Sequence, residues 1–420
     1  MLVIKFGGAS VKDAKGMQNV VNIIKKYTTE PLLIVVSAMD KTTNALEKLT
    51  HLATQGNRNE TMKQLEKIKS FHKNIVIQLF NENSNPILSD IEPYFEELNK
   101  IVEGILLLGD YPNRIFDRVM SYGELISSKI LFSFCQFSDL ETHWLDVRKI
   151  LITDAHHRQA SIIQHLTEQK IQYEVEPLLN AGQVVITQGF IAATNEGHTT
   201  TLGREGSDYS AAIFAEALNA RELLIWKDVP AIFNADPRYF NELTALQHIS
   251  YKNAIEMTFY GATVLHPKTI KPLCNKNIPL KVRSFNELET IGTTIQSGNP
   301  QDTIPCFLIK PNQTLLIITR MELSFINSTD MQEVMDALSL AFLSINLIQL
   351  SATSLTLCVD NQTDDIQLFQ SSLAENYLIK IIHQLQLRTT LNFNNIDVDY
   401  TAVLLFQKDE KNIYLVERSQ

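Results

Sequence analysis

The chain has 420 residues, 45% hydrophobic and 20% charged, with 37 basic against 47 acidic side chains and a formal net charge of −10. That composition supports a large core in two or three domains, and the acidic balance argues against nucleic-acid or membrane-surface partners. All fifteen glycines lie at or before Gly298 and the last proline is Pro311, so the final 109 residues lack the two residues that punctuate most turns.

The opening Leu2–Phe6 predicts a strand, broken by Gly7-Gly8, after which Val11, Ala14, Met17, Val20, Val21 and Ile24 repeat at helical spacing. Pro31–Ser37 is an unbroken apolar run that predicts a strand covered on both faces, completing a βαβ unit of a parallel sheet. Residues 41–136 look almost entirely helical, with two long amphipathic helices forming a cap. Strand-like runs return at 183–188, 221–226 and 278–283, and 208–219 is helical by periodicity. The turn-rich stretch Gly292–Pro311 is the boundary candidate. Beyond it, strand, helix, a strand pair over 347–360 and a helical 364–377 give β-α-β-β-α, the order of a ferredoxin-like sensor, and 400–406 and 412–417 add two strands. Residues 301–420 carry seven Lys/Arg and 14 Asp/Glu, most of the net charge.

Cys135, Cys274, Cys306 and Cys358 are too widely spaced for a CxxC pair, which fits a reducing compartment. Lys5 falls where the apolar core of a signal peptide would begin, and no apolar run approaches the roughly 18 residues of a membrane helix. The expected setting is the cytoplasm.

Several segments could carry chemistry. Lys5-Phe6-Gly7-Gly8-Ala9-Ser10 leaves a strand and enters a helix, so backbone N–H groups and the Lys5 ammonium can close on an oxyanion; a plain Gly-Gly turn with a surface lysine reads equally well. Ser37 to Asn44, including Thr43, follows the second strand at the end where ligands bind in open α/β sheets, although its hydroxyls could also cap a helix. Glu124 sits in a helix rich in Leu, Ile and Ser, where a solvated face is the simpler reading. In Gly203-Arg204-Glu205-Gly206-Ser207-Asp208, Ser207 and Asp208 suit helix capping, but capping leaves Arg204, a bidentate anion binder, unexplained. Lys227-Asp228 to Arg238 is a charged loop after a strand, and His266 before Pro267 reads as a cap. His156-His157 are adjacent, not four apart, so they make no helical metal pair.

Taken in order, these segments resemble the aspartokinases of the amino-acid kinase superfamily. KFGGAS is similar to the opening KFGGTS, SYGELIS to the GE helix, TTTLGREGSDYSA to TTLGRGGSD, DVPAIFNADPR to DVPGIYTTDPR, and FYGATVLHPKTI to FGAKVLHP. The resemblance runs from residue 1 to about 296. It implies an α/β catalytic domain over 1–296, with helices around a mostly parallel eight-stranded sheet. An ACT-type regulatory region follows over 303–420, one unit plus a partial or shortened second. It also implies ATP-dependent phosphorylation of the β-carboxylate of L-aspartate, the entry step to lysine, threonine and methionine synthesis. Mg²⁺ would be bound mainly through the phosphates, an amino-acid effector could act, and the assembly would be a homodimer.

Carried over residue by residue, Lys5 with Gly7, Gly8 and Ser10 would hold the phosphates. Arg204 would take the substrate α-carboxylate, and Glu124 and Asp208 its ammonium. Ser37, Thr43, Phe190 and Ser207 would shape the pocket, and Asp228, Phe233 and Arg238 would line the nucleotide site. Two departures stand out: Thr263 replaces the lysine of GAKVLHP, and Lys227 replaces the threonine before the aspartate of TDVPG, so Lys227 is expected to take over part of the phosphate neutralisation. In the regulatory region Ala352 occupies an acidic position beside Ser351, and the turn Leu343–Asn346 has no glycine, with Asn346 the candidate for a left-handed residue. Weak or absent feedback by lysine or threonine follows. Glutamate or N-acetylglutamate kinases, and a non-catalytic ATP and amino-acid sensor, are the other readings.

Overall fold

The computed structural model describes residues 1–262, 264–298, 303–322, 324–393 and 401–419. They form two compact units: Met1–Ile232, Ala245–Tyr251 and Leu265–Asn299, and Phe233–Thr244, Lys252–Val264 and Pro300–Gln420. Thus two segments from within the expected catalytic domain belong to the unit that also holds the tail.

In the first unit, apolar runs without alternation become strands buried on both faces, as in β1 (Leu2–Phe6) and β2 (Leu32–Val36). With β3 (Thr142–Leu145), β4 (Val184–Gln188), β5 (Glu222–Lys227), β6 (His248–Ser250), β7 (Leu280–Ser284) and β8 (Thr293–Gln296) they build one eight-stranded sheet in the order β6-β8-β7-β5-β1-β2-β4-β3. Every neighbouring pair is parallel except β7–β8. The central β1 pairs Lys5 with Val35 on one side and Ile225 on the other, so the ends of β1, β2 and β5 finish level.

One expectation is corrected at the start of the chain. Gly7-Gly8 feed a 3₁₀ turn, Gly8–Val11, and the helix proper is α1 (Ala14–Lys25), whose N-cap Asp13 accepts from the Gly16 N–H. The helical cap contains four helices where two were expected: α2 (Thr42–Thr54), α3 (Arg58–Phe80), α4 (Ser84–Leu108) and α5 (Asn113–Phe137). Two further helices, α6 (Gly206–Ala217) and α7 (Pro267–Lys276), pack against each other.

The second unit contains β9 (Cys306–Arg320), α8 (Ser328–Leu340), β10 (Ile345–Leu350), β11 (Ser354–Asp360), α9 (Thr363–Leu373), β12 (Tyr377–Leu391), β13 (Val403–Lys408) and β14 (Asn412–Arg418). Its antiparallel sheet runs β10-β11-β9-β12-β14-β13. One apolar cluster joins Leu316, Leu357 and Val359 to Leu338 and Phe369 of the helices. A second cluster, with Leu315, Leu347, Leu387 and Val416, comes from six strands. The Gln407 side-chain amide donates to the Ile348 carbonyl, so the two edge strands meet.

Three expectations fail here for local reasons. The long β12 was missed because Tyr377–Leu391 has neither turn residues nor clean alternation. Pro311 lies inside β9, tolerated because the ladder is irregular between Lys310 and Gln313. The left-handed residue after α8 is Phe342 (φ 53°), while Asn346 sits in β10 with its side chain bonded to Gln313 and Asp360. Among the described residues no helix is long and apolar enough to cross a membrane.

Gly123 brings α5 against the loop after β2: a Cβ there would lie 2.8 Å from the Ala38 Cβ. Gly123→Ala should therefore cost about 1–3 kcal/mol in overpacking. A thermal melt checks this, and an unchanged midpoint would show that the loop yields freely.

Candidate active site

At the level ends of β1, β2 and β5 lies a cavity of about 390 Å³. Lys5, Gly8, Ser37, Thr43, Glu124, Phe190, Arg204, Ser207 and Asp208 line it, together with Asp40 and Glu205. Nine residues proposed from sequence thus meet in one place, although the chain separates them by up to two hundred positions.

The centre of the site is Asp208, fully buried in the first turn of α6. Lys5 Nζ lies 2.6 Å from its Oδ1, and Lys227 Nζ 2.9 Å from its Oδ2. Burial works to raise the Asp208 carboxyl, but the two ammonium groups outweigh it and hold the group well below the usual carboxylate range. Burial likewise works against the Lys227 ammonium, and Asp208 and Glu205 reverse it, raising the Lys227 pKa.

Lys227 also lies 3.5 Å from Glu205 Oε2. Glu205 has a left-handed backbone, φ 55°, where the resembled motif RGGSD has glycine, the residue that adopts this conformation without strain. Two of the departures from the resembled motifs, glutamate for glycine at Glu205 and lysine for threonine at Lys227, therefore meet as one ion pair. Sequence reasoning passed over Glu205. Its mismatch with that glycine was the available signal.

Glu124 is buried on α5. Its Oε1 accepts from the Ala38 N–H at 3.3 Å, while its Oε2 has no hydrogen-bond partner among the described residues. Desolvation raises its carboxyl to about 8, with the Ala38 N–H and the Lys5 charge opposing weakly. Three residues downstream, the Ser127 hydroxyl donates to the Ser37 carbonyl at 2.7 Å, so α5 grips the loop after β2 twice.

A Cβ on Gly8 would lie 2.7 Å from the Ala38 carbonyl oxygen, and the Asp40 N–H donates to the Gly8 carbonyl at 3.1 Å. The two loops approach this closely only because Gly8 has no side chain. Asp40 (φ 46°), Phe190 (φ 66°) and Glu205 all hold left-handed backbones at the cavity wall, the clustering of local strain expected where geometry serves a ligand.

The other candidates fall elsewhere. Gly7 adjoins Lys5, and Ser10 is buried in the 3₁₀ turn with a hydroxyl that has no partner among the described residues; neither lines the cavity. Asp228 is exposed just past β5. Phe233 and Arg238 belong to the second unit, where Arg238 pairs with Asp236 at 2.6 Å. Thr263 lies outside the described residues. His266 caps α7 by accepting from the Lys268 N–H at 3.2 Å, and His157 bonds Asp117 at 2.9 Å in a buried cluster. Among the described residues no group of three His, Cys, Asp or Glu could hold a metal.

The model of the amino acid kinase family matches residues 1–284. Lysine-sensitive aspartokinase 3 of Escherichia coli (strain K12) is 34% identical over 383 residues, covering 89% of this chain and 82% of that one. The chloroplastic bifunctional aspartokinase/homoserine dehydrogenase 2 of Arabidopsis thaliana is 33% identical over 333 residues, which span 79% of this chain and 36% of that longer one. Among solved structures, E. coli aspartokinase III in complex with aspartate and ADP (R-state) superposes with a TM-score of 0.85 at 29% identity, over 100% of this chain and 96% of that one. The same protein in complex with lysine and aspartate (T-state) gives 0.78 at 28% identity over the same shares. The chain belongs to the amino acid kinase family and, within it, to the aspartokinases.

Proposed function

We propose that this aspartokinase transfers the γ-phosphoryl group of ATP to the β-carboxylate of L-aspartate in the cavity around Asp208. The observation that carries the reading is the charge layout: a cation pair on one buried carboxylate, with a buried, half-satisfied glutamate and an exposed arginine lining the same cavity.

An aspartate side chain is already ionised at neutral pH, so the reaction needs no general base. What it needs is compensation for bringing an anion to a polyanion. One β-carboxylate oxygen forms the new bond to the γ-phosphorus while the bond to the β–γ bridging oxygen breaks, and ADP leaves with that electron pair. Lys5 and Lys227, held by Asp208, face the charge that spreads over the transferring group. Arg204 orients the α-carboxylate, and Glu124 Oε2 receives the α-ammonium. Ser37, Thr43, Phe190 and Ser207 enclose the remainder, Gly8 stands by the phosphates, and Gly7 and Ser10 keep that assignment on resemblance alone. Asp228, Phe233, Arg238 and Thr263 stay assigned to the nucleotide on resemblance alone. Mg²⁺ would ride on the phosphates and neutralise their charge.

The geometry changes one assignment. Both Asp208 oxygens are engaged by lysines, so Asp208 positions cations and Glu124 is left to take the substrate ammonium. N-acetylglutamate, which has no ammonium, would leave Glu124 Oε2 unanswered. That favours aspartate over this alternative.

Residues 303–420 are proposed as a regulatory region of one ACT-type unit and a shortened second. The first rests on the strand-helix-strand-strand-helix-strand order from β9 to β12, the second on β13 and β14. Weak feedback is part of the proposal, because Ala352 offers no carboxylate and the Ser351 hydroxyl is engaged with Ser354 at 2.7 Å. The homodimer and the cytoplasmic setting rest on the resemblance and on the spread of the cysteines.

With ATP, Mg²⁺ and hydroxylamine present, hydroxamate should form from aspartate and not from glutamate or N-acetylglutamate. The rate should hold at sub-millimolar lysine or threonine. No product from any acceptor would favour the sensor.

Lys227→Ala should lower kcat by about 10²–10³, the usual effect of losing one strong transition-state donor. Unchanged kcat and ATP KM would remove Lys227 from the mechanism.

Glu124 also sets a pH dependence. Its raised carboxyl is neutral below about pH 8, so binding an ammonium must release its proton. Hence kcat/KM for aspartate should climb between about pH 6 and 8, and Glu124→Gln should flatten that limb while lowering its plateau. A wild-type profile flat across this range would contradict the assignment.

A further inference from the structure

A second cavity, of about 510 Å³, opens in the first unit between the helical segment Gln164–Lys170, α6 and α7. It shares no lining residue with the Asp208 cavity. Helix α6 is the wall between them: Gly206, Ser207 and Asp208 face one, while Tyr209, Ile213 and Glu216, spaced as one helical stripe, face the other.

Glu216 is only 8% exposed. Its carboxylate is met by two long amide bonds, from Gln164 Nε2 at 3.3 Å and Asn275 Nδ2 at 3.4 Å. Among the described residues no cation pairs with it, and no carboxylate pairs with Lys268 or Lys271 on the facing wall of α7. A carboxylate this far from water is costly without a positive partner. The lysines bring the opposite charge to the same cavity, Ile213 and Pro272 add apolar surface to its lining, and its other carboxylate, Glu168, accepts from Gln164 at 2.7 Å. One small molecule answers all three features: an ammonium for Glu216, a carboxylate for the lysines, and a short aliphatic side chain.

We propose that this cavity is a binding site for a free aliphatic L-α-amino acid, coupled through α6 to the Asp208 cavity. The site goes beyond the phosphorylation reading, since its occupancy can be measured without turnover. Titration calorimetry of the full chain with L-isoleucine should show one site, which saturating L-aspartate does not displace. The deaminated analogue 3-methylpentanoate, lacking the ammonium, should not bind. Glu216→Gln and Lys271→Met should each weaken L-isoleucine by about tenfold or more, the loss of one charge-assisted contact. Lys271 is exposed, so its variant keeps the test open if Glu216→Gln fails to fold. Absence of binding at millimolar L-isoleucine, displacement by aspartate, or indifference to Lys271→Met overturns the site. An aspartate KM that stays constant while the cavity is saturated overturns the coupling.

Discussion

The structure of the catalytic unit depends on one buried carboxylate. Asp208 has no exposure, and a charge in that position persists only when it is paired. Its two oxygens take ammonium groups from adjacent central strands, Lys5 of β1 and Lys227 of β5, which ties the first turn of α6 to the middle of the sheet. Removing the carboxylate would leave the two ammonium groups without the acid they share, with Glu205 near Lys227. The same constraint suits the proposed reaction: the positive charge is fixed before any ligand arrives, so none of it would need to be reorganised as phosphoryl charge develops.

Around that pair, helix α5 and the loop after β2 act as the opposing jaw. Gly123 permits the approach, Ser127 and Glu124 hold the loop, and Glu124 is left with one oxygen for a ligand. Burial raises its carboxyl while the lysine pair lowers that of Asp208, so two carboxyls in one cavity carry opposite shifts. Environments that push titratable groups apart in this way suit them to different roles: Asp208 holds two lysine ammonium groups, and Glu124 has the role proposed above of exchanging a proton for an ammonium.

The motifs of the first unit were legible because each is a short run bound to one strand end, where parallel sheets gather ligands. The run TTTLGREGSD announced Arg204, Ser207 and Asp208, yet Glu205 looked inert until its positive φ and its contact with Lys227 were seen together. The tail was harder. Without glycine or proline after Pro311, nothing in the sequence separated the end of α9 from β12, and Asn346 drew attention that belonged to Phe342. Segments 233–244 and 252–264 could not be assigned to the second unit by reading along the chain, because unit membership is a matter of packing.

The sequence by itself determined the strand-helix-strand start of a parallel sheet and the order of the short motifs that meet at its strand ends. Each of these follows from local periodicity, turn chemistry and residue type. Only the tertiary structure decided that Asp208 is shared by two lysines, that Glu124 keeps an unanswered oxygen, and that α6 stands between two cavities. Those facts rest on sheet register and helix packing, which bring residues distant in the chain into hydrogen-bond and ion-pair contact, and no local pattern in the chain encodes such contacts.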